Sequence, residues 1–438
     1  MFSRCAHGGF MKNSAVKSVS FSQYRAFKEP QSLSVKPLTI LFGYNNSGKS
    51  SAIRLLSILA ASFSQSRPET YAPSFLDYTA PCLRGAIFRN IAFANQSRMS
   101  FGIEWCDGDC FSFDIKQEGV DKEVLTSLTY KENSPSGLRE SIFIQGLGAD
   151  GRYVDANNAG RELYLDRFSI VKNLKSKKPL FPSISKKTFA LSNSVHWLNA
   201  VRIYPPREFT INSSVPVGIR FDGGGTAEAI WDLASKKSKA FDWINEWLAE
   251  TCGRKIVLDT LSQSVSNDRI VARLETVSVN ESDVSSPIRV PILDSGEGIA
   301  QALPVVTLCA LAATGDLGEY PIILLEQPEL HLHPKAIVTL ANFLVRCIRK
   351  NTNARFVIET HSESLLLAVQ TVVASKELNL ADVSAYWVSR AVEADGSTLK
   401  KVEFDEDAYI LNNFPSEVFQ EVYEQAKNLI KVRDGEGA

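Results

Sequence analysis

The chain has 438 residues, of which 44% are hydrophobic and 22% charged, and this composition is typical of a folded globular protein. Its net charge of −1 excludes an overall electrostatic attraction to nucleic acid or to a membrane surface. We find no unbroken apolar run of the roughly 18 residues that a membrane-spanning helix needs, so we expect a cytoplasmic protein without a membrane partner.

The first part of the chain has the pattern of strands, a glycine loop and a helix. Residues 15–28 alternate as a pair of strands, and residues 35–43 form an apolar strand that ends in glycine. Residues 50–63 then have helical spacing, with Ile53 and Leu56 on one face. This order is the context that a phosphate-binding loop requires.

The middle of the chain, from about 84 to 210, predicts short strands, and residues 226–252 predict a helical piece. Later elements alternate again and are predicted as helix 298–313, strand 321–326, helix 335–350, strand 355–360 and helix 363–375. The tail predicts one more amphipathic helix, with apolar residues at Val418, Phe419, Val422, Tyr423, Ala426, Leu429 and Ile430.

The glycine loop has the complete pattern GxxxxGKS. Glycines allow successive backbone N–H groups to face phosphates at the start of a helix. In such a loop Lys49 binds the β- and γ-phosphates, and Ser50 ligates Mg²⁺. The sequence therefore predicts ATP and Mg²⁺ as cofactors, with a phosphate site formed by Gly43, Asn45, Asn46, Ser47, Gly48, Lys49, Ser50 and Ser51.

The apolar strand at 321–326 delivers Glu326 to its carboxyl end, where Gln327, Pro328 and Glu329 follow. A carboxylate beside a phosphate loop is suited to Mg²⁺. We therefore predict Glu326 as a metal-site and catalytic residue. Taken alone, the same pattern is also typical of a strand that ends in a solvated acidic turn.

A second glycine turn opens the helix at 298–313 and predicts another anion site. It consists of Ser295, Gly296, Glu297 and Gly298. One chain does not need two such loops for one nucleotide, so we expect this turn to cap ATP held by another subunit. An ordinary helix N-cap is the alternative.

A histidine, His361, stands at the end of the strand at 355–360. There it is a candidate to contact the γ-phosphate or to orient water. A histidine that only packs, or lies exposed, is the alternative.

These motifs, in this order, resemble the ABC/SMC class of ATPases, and within it the OLD-like and RecF-like bacterial AAA-type proteins. The resemblance rests on segments 294–304, 326–334 and 359–363 and extends to residues 202–207, 222–225 and 413–415. It implies an α/β fold with a split ABC-type P-loop nucleotide-binding domain, a β-rich middle section and a helical insertion. The implied bounds are 11–105 and 256–400 for the two halves of the ATPase domain, 106–210 for the middle section, 211–255 for the insertion and 401–438 for the C-terminal helix.

The resemblance also implies roles for single residues. Glu326 becomes the second Mg²⁺ ligand beside Ser50, and His361 becomes the switch histidine. Residues 295–298 act in trans on the ATP of a partner subunit. Arg25 matches a basic residue that often touches phosphate or adenosine.

The chain departs from the family pattern at Gln327, where ABC enzymes place the glutamate that polarises the attacking water. A glutamine cannot accept a proton, although it can position water. Either Glu329 or His361 compensates, or hydrolysis is slow and ATP mainly holds a dimer together. Gln96 is a candidate for the glutamine that senses Mg²⁺, and a surface residue is the alternative.

The leading interpretation is an ATP-dependent switch that works as a head-to-tail homodimer or higher homo-oligomer. The resemblance implies an effector protein, a nuclease or toxin encoded nearby, and a role in anti-phage defence. A RecF-like DNA-repair ATPase and a non-hydrolysing scaffold are the alternatives. The lysine-rich segment 172–187 is a candidate contact for DNA or RNA, and a solvated loop is its other reading.

Overall fold

The structure is a computed structural model that describes residues 15–64, 75–119, 122–134, 137–145, 153–155, 162–166, 168–171, 181–212, 218–264, 269–281, 287–390, 396–405, 407–412 and 427. Its strands are β1 (Val16–Ser22), β2 (Gln31–Ser34), β3 (Leu38–Phe42), β4 (Arg98–Trp105), β5 (Cys110–Glu118), β6 (Lys122–Ser134), β7 (Gly137–Gln145), β8 (Tyr153–Asp155), β9 (Glu162–Asp166), β10 (Ser169–Val171), β11 (Val195–Leu198), β12 (Phe209–Asn212), β13 (Arg254–Ser264), β14 (Arg269–Ser278), β15 (Val290–Pro291), β16 (Ile322–Glu326), β17 (Arg355–Thr360), β18 (Val383–Arg390), β19 (Ser397–Phe404) and β20 (Ile410–Asn412). Its α-helices are α1 (Lys49–Phe63), α2 (Phe88–Ile91), α3 (Pro182–Ser194), α4 (Thr226–Ser235), α5 (Lys239–Cys252), α6 (Glu297–Thr314), α7 (Pro334–Lys350) and α8 (Glu363–Ala374).

The central sheet has seven strands in the order β11-β16-β17-β3-β18-β19-β20. Its first five strands run parallel, and β19 and β20 continue it antiparallel. Strand β3 comes early in the chain, yet it lies between two late strands, β17 and β18. The predicted α/β fold, in which the glycine-loop segment joins late elements of the chain, is therefore confirmed. Because parallel strands end on the same edge of a sheet, the segments after β3, β16 and β17 meet there.

A second sheet contains strands β5 to β10 of the middle section, and it has nine strands in the order β10-β9-β8-β7-β6-β5-β4-β1-β2. All of its neighbouring strands are antiparallel. Buried rings on this sheet, among them Phe101, Trp105 and Phe113, share one apolar core with α1. This core fixes the helix that follows the glycine loop.

A third sheet of four strands packs near the helical insertion. In it β13 and β14 form a hairpin, which the sequence pattern does not single out, and β12 and β15 both pair with β14. The helical piece predicted at 226–252 is confirmed as two helices, α4 and α5. Their apolar faces share the second core with this sheet and with α6 and α7.

The five late helices and strands are confirmed, with ends within one residue of the predicted ones. Gln301 and Pro304, which interrupt the apolar run in the sequence, both lie inside α6 and do not end it. Its 18 residues reach the length and hydropathy of a membrane-spanning helix. However, 72% of this window is buried inside the protein, as in the core helix of a soluble protein. The predicted C-terminal amphipathic helix lies outside the described residues, except for Lys427.

Of the two strands predicted within residues 15–28, the first is present as β1 and the second is absent, so this part of the prediction is wrong. Strand β1 pairs with β2, and the residues between them form a turn in which Gln23 and Arg25 have φ angles of 54° and 53°. The N–H of Tyr24 donates to the carbonyl oxygen of Phe27 at 2.9 Å. Both rings are buried against Phe21, so packing of the turn overrides the alternating pattern.

The lysine-rich segment 172–187 is not a solvated loop at its C-terminal end, because that end begins α3. Lys187 is only 7% exposed and forms ion pairs with Asp107 and Asp109, in the turn between β4 and β5. A buried lysine with two carboxylate partners is not available to phosphates of DNA or RNA. Residues 172–180 lie outside the described residues.

Candidate functional site

The glycine loop connects β3, which is buried along its length, to the N-terminus of α1. Gly43 has a φ of 149°, and a Cβ atom there would lie 2.1 Å from the carbonyl oxygen of Val388 on β18. A side chain would force the two backbone segments apart, so only glycine fits. The close contact with β18 fixes the loop against the central sheet.

Lys49 lies inside this loop and is only 3% exposed. Its Nζ atom donates to the carbonyl oxygens of Gly43 at 2.9 Å and Tyr44 at 2.7 Å. Burial lowers the pKa of Lys49 to about 8, and the nearby Glu359 carboxylate partly opposes this shift. Neutral carbonyl groups compensate a buried charge only in part, so an anion in the loop would stabilise it. The other predicted loop residues are Asn45 and Asn46, which are exposed, Ser47, which is buried, and Gly48, Ser50 and Ser51, which are half-buried.

Two carboxylates lie side by side at the edge of the sheet, because Glu326 of β16 is in register with Glu359 of β17. Arg54 of α1 donates to both oxygens of Glu326, at 2.6 and 2.5 Å, and the indole N–H of Trp197 donates at 2.8 Å. The Ser50 hydroxyl donates to Glu359 at 2.9 Å. Burial, followed by the charge of Glu326, raises the pKa of Glu359 to about 7. The structure therefore brings the glycine loop and both strand ends into one site.

Glu329 faces the interior of the same edge and is 9% exposed. Its Oε1 atom accepts hydrogen bonds from the Thr360 hydroxyl at 2.6 Å and from the backbone N–H of His361 at 3.2 Å. Burial raises the pKa of Glu329. The His361 side chain is exposed, and its pKa is lowered by partial desolvation and by the Lys49 cation. Glu329 thus holds the backbone of His361 close to the glycine loop.

The second glycine turn makes its contacts with other parts of the chain. The Ser295 hydroxyl lies 3.0 Å from that of Thr276, and Gly296 is exposed at the start of α6. A Cβ atom at Gly298 would lie 2.4 Å from the carbonyl oxygen of His331, so this close approach requires glycine. Among the described residues, no hydrogen bond or ion pair joins this turn to the glycine loop of the same chain.

Glu297 of this turn and Asp294 just before it are held by the segment between β11 and β12. Arg207 forms a bidentate pair with Asp294 at 2.8 and 2.9 Å, and the Tyr204 hydroxyl donates to Glu297 at 2.7 Å. Val201 in the same segment is 72% exposed. The N-terminal end of α6 is therefore bordered by an exposed surface that is partly apolar and partly acidic.

A buried arginine, Arg202, connects α6 with the end of β16. Its guanidinium donates to the carbonyl oxygens of Gln301 at 3.2 Å, Glu326 at 2.8 Å and Gln327 at 2.9 Å. The Gln301 amide donates back to the carbonyl oxygen of Arg202 at 2.9 Å. Gln327 has a φ of 44°, and its N–H donates to the carbonyl oxygen of Glu359 at 2.8 Å. Arg202 thus fixes a strained position beside the carboxylates.

We expect Arg202→Met to lower the free energy of unfolding by about 2–4 kcal/mol, because three buried carbonyl groups lose donors. Chemical denaturation followed by circular dichroism measures this change. Arg220→Met is the control, because Arg220 is exposed and, among the described residues, its side chain pairs with Asp222, and such surface pairs contribute less than about 1 kcal/mol. If both substitutions lowered the free energy of unfolding equally, the buried hydrogen bonds of Arg202 would not contribute the stability proposed for them.

Two further predicted site residues are Arg25 and Gln96. Arg25 donates to the carbonyl oxygen of Asn90 at 3.3 Å and lines a cleft together with Ser51 and Arg54. Gln96 is exposed in the turn before β4. Among the described residues, no hydrogen bond joins the Gln96 side chain to the glycine loop or to either carboxylate, and its metal-sensing role stays a prediction.

The sequence patterns assign no role at the site to four residues that contact it in the structure. These residues are Arg54, Trp197, Arg202 and Glu359. A local signal exists for two of them. Arg54 lies one helical turn after Ser50, and Glu359 ends a strand next to a predicted switch histidine. Trp197 and Arg202 reach the site from β11 and the loop after it, and sequence spacing does not reveal that contact.

Residues 254–368 match a family model described as "AAA domain, putative AbiEii toxin, Type IV TA system". No curated protein matches the chain significantly. Among solved structures, the fold is similar to an Smc head bound to the C-winged helix domain of ScpA, with 11% identity, a TM-score of 0.46 and coverage of 90% of this chain and 98% of that chain. It is also similar to a Pyrococcus furiosus Smc head with an extended coiled coil, bound to the C-terminal domain of ScpA, with 10% identity, a TM-score of 0.45 and coverage of 96% and 99%. An SMC head domain from Thermotoga maritima is similar with 11% identity and a TM-score of 0.38, and the match covers 89% of this chain and 99% of that chain.

Proposed function

We propose that the chain binds ATP with Mg²⁺ and hydrolyses it slowly. The observation that carries this proposal is the 2.9 Å hydrogen bond between Ser50 and Glu359. It joins the loop that holds Lys49 to the edge where two carboxylates end adjacent parallel strands, which is the arrangement that a triphosphate and its cation need. The residues fit Mg²⁺, because a serine hydroxyl and a buried carboxylate are oxygen donors and Mg²⁺ prefers oxygen.

We further propose that two copies join head to tail, so that residues 295–298 of one copy cap the ATP held by Lys49 of the other. Two features support this arrangement. The start of α6 is an exposed helix N-terminus, which favours anions. In addition, Ile203 and Tyr204 beside it are 46% and 47% exposed, as residues of a contact surface are.

Mixing two inactive variants tests this arrangement. We expect Lys49→Ala to lose phosphate binding and Ser295→Glu to place a carboxylate where the partner's triphosphate would lie. In a head-to-tail dimer of one of each, one site carries both defects and the other is intact. With random pairing, the mixture should regain about one quarter of wild-type ATPase activity.

Each variant alone is the matched control, and both should be nearly inactive. A mixture that remains inactive, although light scattering shows that mixed dimers form, would contradict the head-to-tail arrangement. If Ser295→Glu alone were fully active, residues 295–298 would have no part in the nucleotide site.

We also propose that the ATP-dependent state of this dimer controls an effector protein, a nuclease or a toxin, in the cytoplasm during defence against phage. Support comes from the sequence resemblance and from the family description of a type IV toxin–antitoxin system. Expression with the neighbouring genes and affinity purification would test it, since a stable complex should change when ATP is added. An active protein that purifies alone would count against an effector.

A second candidate function is an ATP-dependent scaffold that does not hydrolyse ATP. It is favoured by Gln327, which stands where a proton acceptor is expected. A RecF-like role in DNA repair loses one of its candidate contacts, because Lys187 is buried in ion pairs, whereas Lys186 beside it is exposed.

A further inference from the structure

The two carboxylates at the edge of the central sheet have different environments. Both oxygens of Glu326 are occupied, since Arg54 binds them at 2.6 and 2.5 Å and Trp197 adds a third donor at 2.8 Å. Arg54 and Glu326 are 17% and 2% exposed, so this pair is shielded from water. A bidentate guanidinium neutralises the charge of Glu326 and leaves little capacity to bind a cation.

Glu359 has the opposite environment. It is 3% exposed, and one of its oxygens accepts the hydrogen bond from Ser50. Its other oxygen, Oε2, is buried and has no hydrogen-bond partner in the part of the chain that the structure describes. A buried carboxylate oxygen without a donor is costly, and in folded proteins such an atom usually has a ligand, an ion or water.

The direction of the hydrogen bond from Ser50 also matters. A hydroxyl has one proton and two lone pairs. Because the proton of Ser50 is donated to Glu359, the lone pairs of Ser50 remain available to a cation. Ser50 and Glu359 are therefore arranged as a pair of oxygen ligands that share one proton, whereas Glu326 is engaged by Arg54.

We propose that Glu359 is the carboxylate that supports Mg²⁺ beside Ser50, either directly or through bound water. Glu326 is then a positioning residue, which together with Arg54 fixes the first turn-and-a-half of α1 against the sheet. This inference rests on the proposed binding of ATP with Mg²⁺. It reverses the roles predicted from the sequence, where Glu326 is the metal residue and Glu359 has no role.

The charges of the described side chains agree with this assignment. Arg54 balances Glu326, and Lys49 faces the loop that would hold the phosphates. Glu359 is then the acidic group next to Ser50 whose charge no bidentate partner cancels. Mg²⁺ usually keeps several waters and uses one or two carboxylates in addition to substrate phosphates, so one such group is sufficient.

The test compares Glu359→Gln with Glu326→Gln, which have the same size as the native residues but no charge. Calorimetry would measure ATP affinity in EDTA and in excess Mg²⁺, and their ratio gives the gain due to the metal. We expect Glu359→Gln to reduce this gain by about 10–100-fold, as loss of a carboxylate that supports a metal usually does, and to leave affinity in EDTA nearly unchanged. Glu326→Gln should keep most of the gain.

A spectroscopic measurement gives a second readout that does not depend on turnover. The EPR spectrum of Mn²⁺ bound with ATP should change in Glu359→Gln, with weaker Mn²⁺ binding, and should resemble the wild type in Glu326→Gln. Glu377→Gln is the matched control, because Glu377 is an exposed glutamate in the turn after α8, where it forms a surface ion pair with Arg349. If Glu359→Gln does not fold, Glu359→Asp serves instead, since its shorter side chain draws the carboxylate away from Ser50.

The inference is overturned if Glu359→Gln keeps the full metal-dependent gain, or if Glu326→Gln loses as much of it. A wild-type protein that binds no ATP with or without Mg²⁺ would instead refute the proposed function. The two failures are therefore distinguishable in the same experiment.

Discussion

Replacement of Lys49 by alanine should weaken ATP binding by about 100-fold or more, because two charge-assisted hydrogen bonds to phosphate contribute about 3 kcal/mol. Calorimetry or a fluorescent ATP analogue would measure the change. The fold should remain intact. Burial lowers the pKa of Lys49 to about 8, so below pH 8 the folded protein carries a charge that its environment disfavours. Loss of this disfavoured charge offsets the loss of the two hydrogen bonds to Gly43 and Tyr44, so the alanine variant should remain folded at neutral pH.

Lys36→Ala is the control for this prediction. Lys36 is an exposed lysine just before β3, close in sequence to the loop but outside it. Its replacement should leave ATP affinity within about twofold, as for most exposed positions. A Lys49→Ala protein that binds ATP as tightly as Lys36→Ala would show that the glycine loop does not hold the phosphates.

The sequence predicts the central part of the fold well because its elements have strong local signals. Strands β16 and β17 are continuous apolar runs, and α7 has an apolar stripe that begins after Pro334. The predictions fail where tertiary contacts override local patterns. Residues 23–28 alternate like a strand, but the buried rings of Tyr24 and Phe27 hold them in a turn. The charge of Lys187 indicates solvent exposure, whereas two distant aspartates bury it.

In the candidate site, too, local sequence signals predict some residues, whereas other contacts depend on the assembled fold. Lys49 and Ser50 are predicted from sequence because their roles depend on spacing within one strand–loop–helix unit, and Glu326 is predicted because it ends a separate apolar strand. Which carboxylate meets Ser50 depends instead on strand order, and β17 lies between β16 and β3. That order places Glu359 next to the loop and leaves Glu326 to Arg54. Strand order is a property of the assembled sheet, so the motif alone does not reveal it.

Replacement of Gln327 by glutamate should raise the rate of ATP hydrolysis by about 10–100-fold, because a positioned general base contributes at least this much. The backbone at this position is fixed, since the Gln327 N–H donates to Glu359 and its carbonyl accepts from Arg202. The side chain is half-buried and follows directly after Glu326. Neighbouring carboxylates would raise the pKa of the new glutamate, which makes it a better proton acceptor near neutral pH.

Gln327→Ala is the matched control, because it removes the amide without adding a base and should not increase turnover. Single-turnover measurements with both variants would separate the chemical step from product release. An unchanged chemical rate in Gln327→Glu would mean that water activation does not limit the wild type, and the scaffold function would then gain support. A selective rise in Gln327→Glu would show instead that the site is assembled for hydrolysis and that one amide keeps it slow.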